Sequence, residues 1–139
     1  MKAMTEGLLP HPPRQYRLAL TLGDHSPRHL RRIARAHVRL WGLDDIADVV
    51  ELVLSELTTN VYRHTFDRWC EVTLLHTPQG VHIEVHDHSP VTPTARTADE
   101  FAESGRGLAL VELLTDKWGV HHHATGKTVW CDLHATAEP

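Results

Sequence analysis

Residues 45–65 read DIADVVELVLSELTTNVYRHT, and the way this stretch lies on a helix decides how the chain folds. At about 100° per residue, Ile46, Val49, Val50, Val53 and Leu57 fall on one stripe. Glu51, Ser55, Thr58 and Tyr62 fall on the opposite side, the expected solvent face of an amphipathic helix. Continued, the inward stripe reaches Asn60 and His64, with Glu56 on its flank. The i, i+4, i+8 spacing stacks Glu56, Asn60 and His64 along one side. A core-facing stripe that turns from valine to carboxylate, amide and imidazole predicts a helix entering a polar cleft. The plainer alternative has Asn60 bonding a nearby backbone group and Glu56 reaching solvent at the helix edge.

The surrounding chain limits what such a cleft can serve. Its 139 residues suit one domain with a real core, and 41% hydrophobic with 23% charged residues is a globular composition. A formal net charge of -4 gives nonspecific nucleic-acid binding no global electrostatic support, so no direct nucleic-acid partner is expected. Cys70 and Cys131 stand far apart without CxxC spacing, which excludes a disulfide framework or zinc knuckle and fits a reducing cytoplasm. No run approaches the roughly 20 apolar residues of a membrane span, so the expectation is a soluble cytoplasmic protein.

Taken in order, residues 1–13 read as a disordered lead-in broken by Pro10, Pro12 and Pro13, and residues 14–139 as a single domain. Residues 14–22 alternate as a half-buried strand with Tyr16, Leu18, Leu20 and Leu22 inward. Ser26-Pro27 predicts a helix start with Ser26 as N-cap, and Gly42 a stop just after Trp41. Arg28, Arg31, Arg32, Arg35 and Arg39 form a basic stripe on that helix, either a solvated face or a dock for an acidic partner. Residues 71–77 and 81–87 flank Pro78-Gln79-Gly80 as a hairpin, with Val81, Ile83, Val85 and Asp87 in one buried row. Residues 88–104 read as a long loop or lid. A helix is then expected from about Gly105 to Trp118, followed by a hairpin over residues 119–125 and 127–134. One-sided strands and three helices predict an α/β (α+β) two-layer sandwich, a mixed, mostly antiparallel sheet with helices on one face.

Three polar spots could carry chemistry. Asp87 ends a buried row, where it must cap a neighbour or meet a ligand donor. Gly105 and Gly107 at a helix start would let backbone N–H groups approach an anion, with Arg106 adding charge; a simple tight turn is the alternative. Asn60 offers a hard oxygen for Mg²⁺ beside phosphate, and Glu56, one turn earlier, a carboxylate to orient or deprotonate a hydroxyl.

ELTTNVYRH, the Asp87-His88-Ser89 that follows a hydrophobic strand, and GRGLALVELLTDKWG resemble, in order, the N, G1 and G2 boxes of the GHKL superfamily. Within it the chain looks like the single-domain anti-sigma-factor serine/threonine kinases, particularly their short actinobacterial relatives. The resemblance covers nearly everything from Arg14 onward. It implies a Bergerat-type fold binding ATP and Mg²⁺ between the organising helix, the lid and the sheet. It implies Glu56 as general base, Asn60 as Mg²⁺ ligand and Asp87 as acceptor of the adenine amino hydrogen, with Ser89 beside it. Gly105, Arg106, Gly107 and Leu108 would lie at the triphosphate, Arg63 and His64 toward phosphate, and Thr128 near adenine, although strand phasing sets Thr128 opposite the Val129 row. The usual first box is DxGxG; here it reads Asp87-His88-Ser89-Pro90-Val91, with both glycines gone.

The resemblance implies a kinase that phosphorylates an antagonist protein and regulates a sigma factor. The alternative is a nucleotide-gated binding protein without phosphotransfer; Glu56 and Asn60 favour the first, the lost glycines the second. The sequence leaves homodimer formation open. His82, His86 and His88 share a strand face with Glu84, and His121, His122 and His123 form a run. Metal chelation is one reading of them, and a solvated sheet face the favoured one.

Overall fold

Sequence alternation becomes five strands and three α-helices in the computed structural model, which describes residues 13–90 and 102–136, and of 102–107 the backbone only. The strands are β1 (Gln15–Thr21), β2 (Trp69–His76), β3 (Gly80–Asp87), β4 (Lys117–His123) and β5 (Gly126–His134). They lie in the order β1-β2-β3-β5-β4, and every neighbouring pair is antiparallel. Among the described residues the sheet is therefore wholly antiparallel, where the sequence predicts a mixed, mostly antiparallel one. After the crossover β4 takes the far edge and hairpins back, so β5 runs against β3.

The helices are α1 (Ser26–Leu40), α2 (Ala47–His64) and α3 (Ala102–Leu114). Helix α2 lies between α1 and α3 and packs on β2 and β3. Val72, Leu74, Val81, Ile83, Val85, Cys131 and Leu133 form the inner face of the sheet, and all are buried. Against them lie Leu30, Ala34 and Val38 of α1 and Val50, Val53, Leu54, Leu57 and Val61 of α2. Each such leucine or valine contributes about 1.5–3 kcal/mol by leaving water. Among the described residues no helix is long and apolar enough to cross a membrane.

Coverage from three sides widens the buried arc of α2 beyond the predicted stripe. Leu54 and Val61 join it, and Thr58, expected in solvent, is buried because its hydroxyl donates to Leu54 O at 2.8 Å within the helix. Tyr62, also expected outside, is half-buried, with the Arg68 guanidinium 4.2 Å above its ring. His64, expected on the inward stripe, is exposed; the stripe ends instead at Val61.

In α1, Ser26 is the first helical residue rather than the cap, and its Oγ accepts the Gly23 N–H at 2.9 Å. Gly42 closes the helix at φ 75, the left-handed conformation that favours glycine. Arg35 leaves the basic stripe to bond Asp48 and Glu51 and so clamps α1 to α2, while Arg28, Arg31, Arg32 and Arg39 are exposed. Helix α3 starts three residues before Gly105 and ends four before Trp118. Trp118 belongs instead to β4, opposite Cys131, and Val120 lies in that strand as expected, opposite Val129; both pack on the sheet.

The outer face carries His82, His86, His121 and His123, whereas His122 pairs with Lys127 on the inner side. Among the described residues no three His, Cys, Asp or Glu side chains converge to hold a metal ion. His82 instead places Nδ1 2.6 Å from Asp132 and Nε2 2.9 Å from Glu84, an arrangement in which both ring N–H groups donate only when the ring is protonated. Burial disfavours that charge, but the two carboxylates outweigh it and raise the His82 pKa. Its stabilising contribution is therefore complete below the unfolded pKa of about 6.5 and is lost as pH rises through the higher folded value. Denaturant unfolding checks this: the stability gap between the protein and His82→Gln should be larger at about pH 5.5 than at about pH 8.5.

Candidate functional site

The inner row of β3 ends at Asp87, whose cross-strand partners are Cys70 on β2 and Lys127 on β5. Both members of the Asp87–Lys127 pair are buried, at 3% and 5% exposure. Lys127 Nζ donates to Asp87 Oδ1 at 3.0 Å and Oδ2 at 2.9 Å, and the Ser89 backbone N–H donates to Oδ1 at 2.8 Å. Alone, either charge at this depth would cost several kcal/mol. Gly126 lets β5 come this close, since a Cβ there would lie 1.9 Å from Asp87 O. Burial pushes the neighbouring Cys70 thiol up to about 12, with the Asp87 charge adding to it. Burial also pushes Cys131 up to about 12, so both are protonated, inert thiols.

Sequence reasoning missed Lys127. The signal was available: Lys127, Val129, Cys131 and Leu133 alternate, so the lysine opens the buried row. The residue expected near adenine, Thr128, lies on the other face of the sheet. It is buried there, within 3.2 Å of His86 Nδ1 and 2.8 Å of His123 Nε2 at its hydroxyl. Strand geometry admits only one of two consecutive residues to the Asp87 side, and it is Lys127.

On α2, Glu56 and Asn60 are both half-buried and one turn apart. Nine residues separate Asn60 from Glu51, about 180° around the helix, and Glu51 faces α1 through Arg35. Asn60 and Glu56 thus lie on the flank away from α1, the side on which α3 packs. Among the described residues neither side chain is held by a hydrogen bond. Arg63 is exposed and lines a different cleft of about 310 Å³ on the α1 side, with Leu22, Asp24, Pro27, Thr58 and Tyr62.

Gly105 and Gly107 lie inside α3 rather than at its start, because Ala102, Glu103 and Ser104 already adopt helical backbone. The side chain of Arg106 lies outside the described residues, as does most of the expected lid, residues 91–101. Leu108 is buried. Ser89 is buried, and His88 is exposed, with Nδ1 2.6 Å from Asp67 and its ring stacked on Trp69 at 4.2 Å. The His88 contact holds the Asp67 carboxyl below its ordinary range.

Helices on one face of an antiparallel sheet, a polar helix flank and a carboxylate at a strand end are the parts of a nucleotide-binding α/β sandwich. Residues 22–132 match the family profile of the histidine kinase-like ATPase domain, and the chain belongs to that family. The crystal structure of the RsbU and RsbW domains of Rv1364c from Mycobacterium tuberculosis is similar, with a TM-score of 0.62 and 23% identity over 88% of this chain. The match takes in 33% of that longer chain, and the likeness is one of fold. No curated protein sequence matches.

The buried ion pair makes a direct prediction. Lys127→Met should destabilise the protein by about 3–5 kcal/mol, because it leaves the Asp87 charge without its partner. Combining it with Asp87→Asn, which removes that charge and keeps an acceptor for Ser89, should recover more than half of the loss in denaturant titrations.

Proposed function

We propose that the chain is an ATP·Mg²⁺-dependent regulatory kinase of the anti-sigma-factor type. Its substrate would be a serine or threonine hydroxyl on a small antagonist protein, and its second partner a sigma factor. The observation that supports this most is the Glu56/Asn60 flank of α2: a carboxylate and an amide one turn apart, half-exposed, on the side toward α3. Bound Mg·ATP supplies the phosphoryl group. The Asn60 amide oxygen suits a hard cation that keeps phosphate and water as its other ligands. Glu56 would orient the incoming hydroxyl and take its proton. The family match and the fold shared with a structure containing an RsbW domain agree with this reading.

On the base side the fit is poorer, since the Asp87 carboxylate is committed to Lys127. That pair, with the glycines lost from Asp87-His88-Ser89-Pro90-Val91, favours a second reading: a nucleotide-gated binding protein that holds its partner without phosphorylating it.

Substitutions on α2 separate the two. Asn60→Ala should weaken Mg·ATP binding and abolish phosphotransfer together. Glu56→Ala should leave binding nearly intact and cut transfer by on the order of 10²-fold or more. Labelled Mg·ATP with candidate antagonists from the same genome is the assay. A wild-type protein that binds both ATP and a partner yet labels nothing belongs to the second reading.

A further inference from the structure

The Asp87 carboxylate stands where the nucleotide reading needs an acceptor for the adenine amino group, and the protein's own ammonium is already there. Two of the three Lys127 N–H donors are directed at it, at 2.9 and 3.0 Å, and the Ser89 N–H takes a further position on Oδ1. The lysine is fixed by the fold: strand register sets it opposite Asp87, and Gly126 lets the two strands close. It has little room to swing outward, being buried among the residues that open β5.

Competition for that carboxylate is unequal. Any N–H that donates to the ionised Asp87 carboxylate makes a charge-assisted bond, but only the Lys127 ammonium adds the attraction of a full opposite charge; the adenine amino group is a neutral donor. A base that displaced Lys127 would also strand a buried ammonium. Lys127 and Ser89 fill three of the four acceptor positions of the carboxylate, and with Asp87 only 3% exposed the fourth is closed to solvent, so a base reaches it by moving the ammonium aside and breaking a better bond than the one it makes.

We propose that Lys127 is an internal competitor for the nucleobase and the residue that sets base selectivity. With Lys127 on Asp87, the chain takes a nucleoside triphosphate through its phosphate and metal groups and leaves the 6-amino group unread. With the ammonium gone, Asp87 reads that group. This rests on the nucleotide-binding reading above.

The probes are Mg·ATP and the Mg complex of purine riboside triphosphate, which is ATP without the 6-amino group, measured by calorimetry on the whole chain. The unaltered protein should bind the two within about threefold of each other, since no charged hydrogen bond distinguishes them. Lys127→Thr, whose smaller side chain uncovers the carboxylate, should bind Mg·ATP at least about tenfold tighter than the unaltered protein, with purine riboside triphosphate unchanged. Lys127→Gln, which keeps most of the buried volume, should move the same way and serves if Lys127→Thr does not fold. A tenfold preference for ATP in the unaltered protein would overturn the proposal without any variant, because Asp87 would then read the amino group with Lys127 in place. Folded variants with no gain for ATP overturn it as well and leave the nucleotide reading standing. If neither the unaltered protein nor a folded variant binds any triphosphate, the nucleotide reading falls and this proposal with it.

Discussion

Helix α2 must be kept dry along an arc of about 140°, and the rest of the fold meets that requirement. Ala47, Val50, Val53, Leu54, Leu57, Thr58 and Val61 are all buried, an arc too wide for a sheet alone to cover. Helix α1 closes one side, with small Ala34 and Val38 allowing close approach and Arg35 bonding Asp48 and Glu51 at the rim. Helix α3 closes the other and the sheet lies beneath. The polar residues of α2 are left at the margins of the apolar arc. Glu51 is used up in holding α1, whereas Glu56 and Asn60, on the opposite flank, are half-buried.

Charge is handled differently on the two faces of the sheet. On the outer face, half-buried His82 sits between Asp132 and Glu84, and its charge follows pH. On the inner face, Asp87 and Lys127 are both nearly sealed, and each is the other's principal counterion. Such a pair adds little net stability over apolar residues of the same size, but losing one member is costly. The buried pair therefore resists piecemeal change.

Much of this was legible in the sequence. Alternation at Tyr16-Leu18-Leu20 and Val81-Ile83-Val85 gave the strand faces, Pro27 and Gly42 bracketed α1, and Pro78-Gln79-Gly80 gave the hairpin. The fold class and the family follow from those patterns and the three motifs. What escaped was set by contacts between elements. Thr58 looks polar until its hydroxyl is satisfied inside its own helix, and Arg35 looks like one of five surface arginines until α2 supplies two carboxylates. Trp118 fits a helix period as well as a strand, and only pairing with Cys131 decides between them. At the candidate site, Asp87, Glu56 and Asn60 could be picked out from one sequence, but the partner of Asp87 depends on strand register, which spacing alone does not fix.

Register is where the Asp87–Lys127 pair has a further consequence. The hairpins β2–β3 and β4–β5 are local, while β3 and β5 join residues at least 40 apart in sequence, so the centre of the sheet closes against a larger loop entropy. The two ribbons must meet in one alignment. A slip of one residue is forbidden by the apolar pattern, because it turns Val129, Cys131 and Leu133 outward. A slip of two keeps every apolar side chain inside, and hydrophobicity alone would tolerate it. It would, however, part the carboxylate from the ammonium and bring a residue with a Cβ against Asp87 O in place of Gly126. The ion pair and the glycine together exclude the misalignment that the valines would allow.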